Sequence, residues 1–428
     1  MHEMALEELT VSSLGGQSRN PYDLSRTPGG SSGGSGAVIA ANLAILATGT
    51  DTMNSLRNPA SANALFSLRP TRGLLSRAGV IPISFTQDAV GAMARSPQDL
   101  AVALTVMASV VGYDPQDNLT SLAPPAVRRK DYSASVKGGS LKDRRFGLLN
   151  SFFNHTPSDE TTPVNEVMAN MVSKLTAAGA EVVNVTDTIY DISTIAKLDV
   201  QVFEFREMVD AYLAGAAAND HSQPHSLSEL YSSGRFLVIP AQHGFIKRAL
   251  QSSTNDAAYH LTLHLIQKLT RSLQATFASN NLDALIYPQQ KNLVVKVGSA
   301  FQSGRNGILA ALTGNPVVCV PAGFSPPSAD APVGVPIGME VLGRPWTEDL
   351  LLNIASHINQ LVPIRRMPPS CNRTVEPRVY KSVEVKINIK VKVKVNIKAE
   401  VQVDIKAKIK VDIKSFGLFD GESHEETP

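Results

Sequence analysis

The sequence is poor in cysteine: among 428 residues only Cys319 and Cys371 occur, far apart. A disulfide framework is excluded, and the paired spacings of a zinc site are absent. No apolar run reaches the roughly 18 residues needed to span a bilayer. The start, Met1-His2-Glu3-Met4-Ala5, lacks the basic residues and apolar core of a signal peptide, which favours a cytoplasmic location. Excess charge is also missing. Lys+Arg 40 against Asp+Glu 38 leaves +2, so nothing global argues for a nucleic-acid partner. Lysine is absent from the first 129 residues; Lys130 is the first.

What remains is the composition of an ordinary globular chain, 43% hydrophobic and 18% charged, long enough for one large core or two domains. Sequons at Asn118, Asn154, Asn184 and Asn372 would matter only on a secretory route.

Residues 1–28 read as short of structure, with a turn-rich Leu14–Pro21. Ala37–Ala47 is small and apolar nearly all round and reads as a buried helix. Residues 64–68 read as a short strand ended by Arg69-Pro70, and residues 79–83 as a loop or edge strand. Ser96 caps a helix from Pro97 to about Val111, with Leu100, Leu104 and Met107 on one face. A strand over 145–150, a helix over 163–178 and a strand at Val182-Val183 give a βαβ rhythm and parallel pairing. After a mostly helical stretch over 194–280, strands are expected at 283–287, 317–320 and 334–342, with helices at 303–313 and 347–361. The fold class is a layered α/β/α domain over residues 1–375, with a mixed central sheet covered by helices. Residues 376–428 form a low-complexity extension. There, every odd position from Val383 to Ile413 is Val, Ile or Ala, and every even one is polar, without a hairpin signal. As one strand it would run about 100 Å. It could pair edge to edge in a homo-oligomer, or stay a lysine-solubilised appendage ahead of an acidic tail, Ser415–Pro428.

The chemistry concentrates between residues 29 and 59. Gly29-Gly30-Ser31-Ser32-Gly33-Gly34-Ser35-Gly36 could be a linker or a phosphate cradle by composition. The P-loop lysine is absent, however, and the run opens directly into a helix. A serine hydroxyl needs a base within hydrogen-bond reach and donors for an oxyanion, and a glycine-rich turn supplies unobstructed N–H groups.

These residues, with Gly49-Thr50-Asp51-Thr52 and Ser55-Leu56-Arg57, closely resemble the amidase signature family of hydrolases. The likeness continues through Leu68-Arg69-Pro70-Thr71-Arg72-Gly73, Asp88-x-x-Gly91 and Gly314-Asn315-Pro316-Val317, covering about residues 1–365. It implies a Ser–cis-Ser–Lys mechanism acting on a small-molecule amide, with no cofactor or metal. By that resemblance Ser55 is the nucleophile and Ser31, after a cis bond from Gly30, relays the proton. The backbone N–H groups of Thr52, Met53, Asn54 and Ser55 form the oxyanion hole, Asp51 and Arg57 brace the loop, and Ser32 supports it. Met53-Asn54 stands where the family often has Gly-Gly, so a left-handed residue at 53 would strain the loop and Met53 would narrow the acyl pocket. The family's lysine lies many tens of residues before the Gly/Ser loop, where this chain has none. Arg19 and Arg26 cannot replace it because a guanidinium keeps its proton. The expectation is a chain truncated at its N-terminus with little or no activity. Two alternatives stay open: the A subunit of a tRNA-dependent amidotransferase, and a catalytically silent binding protein. Tyr287-Pro288-Gln289-Gln290 lies where the family often places substrate contacts. His260 and His264, spaced i, i+4 without the Glu of a zinc-protease motif, read as a helix face, Arg128-Arg129-Lys130 as a solvated patch, and Cys319 as a buried small hydrophobe.

Overall fold

A computed structural model describes residues 3–6, 8–110, 112–216, 222–234, 239–371, 388–396 and 400–408. The chain divides into two units, Met1–Arg373 and Thr374–Pro428.

In the first unit a short antiparallel pair, β1 (Val11–Ser12) and β2 (Gly16–Gln17), precedes the main sheet. That sheet contains β3 (Leu46–Asp51), β4 (Phe66–Arg69), β5 (Ala89–Ala94), β6 (Arg145–Leu149), β7 (Glu181–Val185), β8 (Ala284–Pro288), β9 (Val317–Phe324) and β10 (Pro336–Leu342). Its order is β3-β5-β4-β9-β10-β8-β6-β7. Neighbours run antiparallel from β3 to β8. The β8–β6 and β6–β7 pairs are parallel. The helix Thr162–Ala177 makes the β6–β7 crossover. It ends where Gly179 takes φ +90° and Ala180 donates back to the Leu175 carbonyl at 3.1 Å.

The strands alternate between two cores, as a period of two requires. Ala284, Ile286, Val318, Val320, Met339 and Val341 face a layer containing the helices Pro97–Val110, Thr162–Ala177 and Glu348–Leu361. Leu285, Tyr287 and Val317 face the opposite side with Ile308, Leu309 and Leu312. On that second side also lie α1 (Gly33–Ala40) and α2 (Arg57–Ala62), where Ile39, Leu56, Ala60, Met93 and Cys319 pack together.

Several expectations need correction. The helix expected over Ala37–Ala47 starts earlier, inside the glycine run, and stops at Ala40. Asn42 adopts φ +60° and the Leu43 N–H returns to the Val38 carbonyl at 2.9 Å, ending the helix. The chain then extends into β3, which carries Gly49-Thr50-Asp51 of the motif. The N-terminal segment is not loose: Glu8 and Thr10 are buried against the glycine loop. Arg128 is buried, with its guanidinium on the Ala123 and Gly112 carbonyls, and Lys130 pairs with Asp349, so only Arg129 keeps the solvated character.

In the second unit the described residues of the long alternating segment form two strands. β11 (Asn388–Asn396) pairs antiparallel with β12 (Glu400–Lys408), from Asn396 opposite Glu400 to Asn388 opposite Lys408. An isolated strand leaves its backbone donors and acceptors unpaired, and folding back pairs them. Asn372 and the closing tail lie outside the described residues.

Candidate active site

β3 ends at Asp51 and α2 begins at Arg57; the turn between them rests on buried charges. Arg57 Nε and Nη2 donate to Asp51 Oδ2 and Oδ1 at 3.0 and 3.1 Å, and Nη1 donates to Glu340 Oε2 at 2.6 Å. Arg69 Nη1 donates to Asp51 Oδ1 at 2.8 Å. All four side chains are fully buried. Two guanidiniums and two carboxylates balance, which allows the charges to stay inside. Burial pushes the Asp51 carboxyl up, but Arg57 and Arg69 outweigh it and hold it at about 2. Burial dominates at Glu340 and raises its carboxyl.

The turn's own backbone is one-sided. Its carbonyls are all engaged: Thr52 by Gln87 Nε2 at 3.4 Å, Met53 by Arg57 Nη2, Asn54 by the Asn58 N–H at 2.7 Å, and Ser55 by the Ser32 N–H at 3.1 Å. The N–H groups of Thr52, Met53, Asn54 and Ser55 donate to no described residue. Four adjacent N–H groups are thus left without a described acceptor while the carbonyls beside them are tethered. Neither Met53 nor Asn54 has a positive φ, so the turn accommodates them without the left-handed residue that would have strained it. Met53 lies half-buried at the edge of a cavity.

The glycine loop lies against this turn. The Ser32 N–H to Ser55 carbonyl bond joins them, and Ser32 Oγ lies 3.3 Å from the Thr50 N–H and 3.4 Å from its carbonyl. The Gly30–Ser31 peptide bond is cis, the form the resemblance implies. Gly30 has no room for a side chain: a Cβ there would sit 2.5 Å from the Glu8 carbonyl carbon. Ser31 Oγ is sealed from solvent and has no hydrogen-bond partner among the described residues. Ser55 is 7% exposed, and its hydroxyl also bonds to no described residue.

A further ring of residues fixes both loops. Asn58 Oδ1 accepts from the Gly30 N–H at 2.9 Å, while its Nδ2 donates to Gln289 Oε1 at 3.3 Å and to Gln290 Oε1. Gln289 and Gln290 are thus buried and brace Asn58. Thr52 Oγ1 donates to Asp88 Oδ1 at 2.6 Å, and burial raises the Asp88 carboxyl. Glu8 accepts from Arg305 Nη1 at 3.0 Å and from Asn54 Nδ2 at 3.4 Å; burial raises its carboxyl despite Arg305. Sequence reasoning missed Glu340, Asn58 and Glu8. Glu340 had a signal, as the one charge inside the apolar run Pro336–Leu342; Glu8, whose partner lies 297 positions away, had none.

Among the described residues no group of three or more His, Cys, Asp or Glu could hold a metal, and His260 and His264 lie exposed on the helix Ala257–Ser279. Cys319 is fully buried, and burial pushes its thiol well up. No helix of the described residues is long and apolar enough to cross a membrane.

The mixed sheet with its helices and this pair of loops define a layered α/β protein whose candidate site is built on two serine-bearing loops. Residues 1–352 match the family model described as Amidase. The A subunit of glutamyl-tRNA(Gln) amidotransferase from Methylobacillus flagellatus is 32% identical over 377 residues, covering 85% of this chain and 73% of that protein. Its counterpart from Acinetobacter baumannii is 31% identical over 374 residues, covering 84% and 72%. Native peptide amidase from Stenotrophomonas maltophilia superposes with a TM-score of 0.71 at 31% identity, covering 86% of this chain and 73% of that one. The chain belongs to the amidase signature family.

Proposed function

We propose that the chain cleaves amide bonds through an acyl-enzyme on Ser55. Ser55 Oγ attacks the amide carbon and passes its proton to Ser31 Oγ, which hands its own to a base. The carbonyl oxygen, now an oxyanion, sits against the N–H groups of residues 52–55. The C–N bond breaks as the leaving nitrogen gains a proton, and water then cleaves the ester. The observation that carries this reading is the set of four free N–H groups on a turn whose carbonyls are all held, joined through Ser32 to the loop bearing Ser31.

The base is the weak point. Ser31 Oγ has no partner, so no lysine Nζ of the described residues lies within hydrogen-bond reach of it. Hydrolysis by these 428 residues alone is therefore expected to be slow or undetectable. The test is release of an aryl amine from an acyl anilide by the purified chain, with and without Ser55→Ala. Turnover that survives Ser55→Ala would refute the nucleophile. Brisk Ser55-dependent turnover would refute the claim that the base is out of reach.

A second reading draws on the relatives: two of them, at 31% and 32% identity, are amidotransferase A subunits. In that role the chain would release ammonia from a carboxamide only within a complex. Co-purification with stoichiometric partner proteins would favour it; an isolated chain that acts on free amides would exclude it.

A further inference from the structure

A cavity of about 260 Å³ opens beside the candidate oxyanion turn. Met53 of that turn lines it, and so does Glu8, the side chain that reaches Asn54 and whose backbone packs on Gly30. Glu8 thus touches the residue before each serine, which places this cavity at the site rather than elsewhere on the surface.

Two carboxylates and two guanidiniums line the cavity: Glu8, Asp199, Arg305 and Arg248. Formal charge does not decide what it binds; hydrogen-bond occupancy does. Both Asp199 oxygens are taken, by the Gln201 N–H at 3.0 Å and Gln201 Nε2 at 2.9 Å. Glu8 accepts from Arg305 Nη1 on one oxygen and from Asn54 Nδ2 on the other. The donors, by contrast, are left over. Arg305 uses only Nη1, and its side chain is 44% exposed. Arg248, on the helix Pro240–Gln251, forms no ion pair among the described residues. Gln242 on the same helix is nearly fully buried, and its Nε2 has no partner among the described residues. Satisfied acceptors and surplus donors call for a ligand that brings acceptors.

We propose that this cavity is a carboxylate subsite: the amides this chain takes carry a second, ionised carboxyl group, held by Arg305 with Arg248 and Gln242 around it. The proposal rests on the amidase reading for the word amide, but not for the binding chemistry. A guanidinium with free N–H groups recognises a carboxylate through two parallel bonds, an interaction stronger than one between neutral groups. Glu8 then has two tasks: it orients Arg305 and ties it to the turn through Asn54.

The test is calorimetric titration of the full chain with succinamate and glutaramate against the matching neutral diamides. The carboxylates should bind about tenfold more tightly than the diamides, a preference that shrinks with added salt. Arg305→Gln should abolish the preference, and Arg248→Gln, at an exposed position, should weaken it severalfold while leaving the melting temperature unchanged. Equal binding of carboxylate and diamide, or no binding of either at millimolar concentration, would overturn the proposal, as would an undiminished preference in both variants. Anilide hydrolysis with Ser55→Ala is scored separately. A carboxylate preference with amide turnover that survives Ser55→Ala sinks the amidase reading and spares the subsite; Ser55-dependent cleavage without the preference does the reverse.

Discussion

The floor and the mouth of the site are built on opposite rules. In the floor, Asp51, Arg57, Arg69 and Glu340 are fully buried, and each ion pairs with another. In the mouth, Ser31 Oγ, Ser55 Oγ and four consecutive N–H groups have no partner among the described residues. A domain normally satisfies such groups, so a cluster of open N–H groups and hydroxyls beside four paired ions marks where a ligand belongs. The difference teaches a division of labour. The floor uses its charges to fix backbone direction at the start of the turn, Arg69 holding the Asp51 carbonyl and Arg57 that of Met53. The mouth keeps the reactive atoms uncommitted.

If that contrast is right, floor and mouth must respond differently to substitution. Arg57→Ala should do the most damage, because it strands Asp51 and Glu340 as unpaired buried charges. A loss of about 3–5 kcal/mol in urea unfolding is expected, and a cost under about 1 kcal/mol would show that the floor is not what holds the turn. Next comes acid. The Asp51 carboxyl is held at about 2, below its ordinary 3.8. A depressed folded-state value means the contribution is complete above about pH 4 and fades as pH falls through 2, amounting to roughly 2 kcal/mol. Carboxyl-carbon NMR should place the Asp51 midpoint near 2, and a midpoint near 4 would mean the guanidiniums do not reach it. Ser32→Ala removes a hydroxyl that bridges the two loops only through long contacts, so about 1 kcal/mol is expected, read from the thermal midpoint. Smallest of all is Ser31→Ala. Deleting a buried hydroxyl that has no partner should change stability by less than about 0.5 kcal/mol in the same unfolding assay, although it removes the proposed proton relay. A large loss there would mean Ser31 is structural.

Much of the scaffold was readable from local pattern. The helices at Pro97 and Glu348 carry clean periodicity, and β9 and β10 are apolar runs between turn residues. β3 and β5 were hidden because their small residues and Gly49 or Gly91 look like punctuation. Gly91 must be bare, since a Cβ would lie 2.2 Å from the Leu68 carbonyl oxygen. The two serines, the turn and Arg57 were legible through the motif. What completes the site was not: Asn58 meeting Gln289 and Gln290, Arg57 meeting Glu340, and Glu8 meeting Arg305 are pairings across 231 to 297 positions, set by the sheet order. The pairing of β11 with β12 was missed because no Gly, Pro or Asn-Gly signals a hairpin in the alternating segment.

The central claim is that Ser55 is the nucleophile and that Ser31 supports it while bearing no structural load. The most direct measurement is intact-mass and peptide mapping after long exposure to an aryl sulfonyl fluoride, whose tetrahedral-like adduct uses the same turn. The account predicts one slow adduct, on Ser55, absent in Ser55→Ala and slower still in Ser31→Ala at unchanged melting temperature. An adduct on another residue, or labelling of Ser55 at the same rate without Ser31, would contradict it.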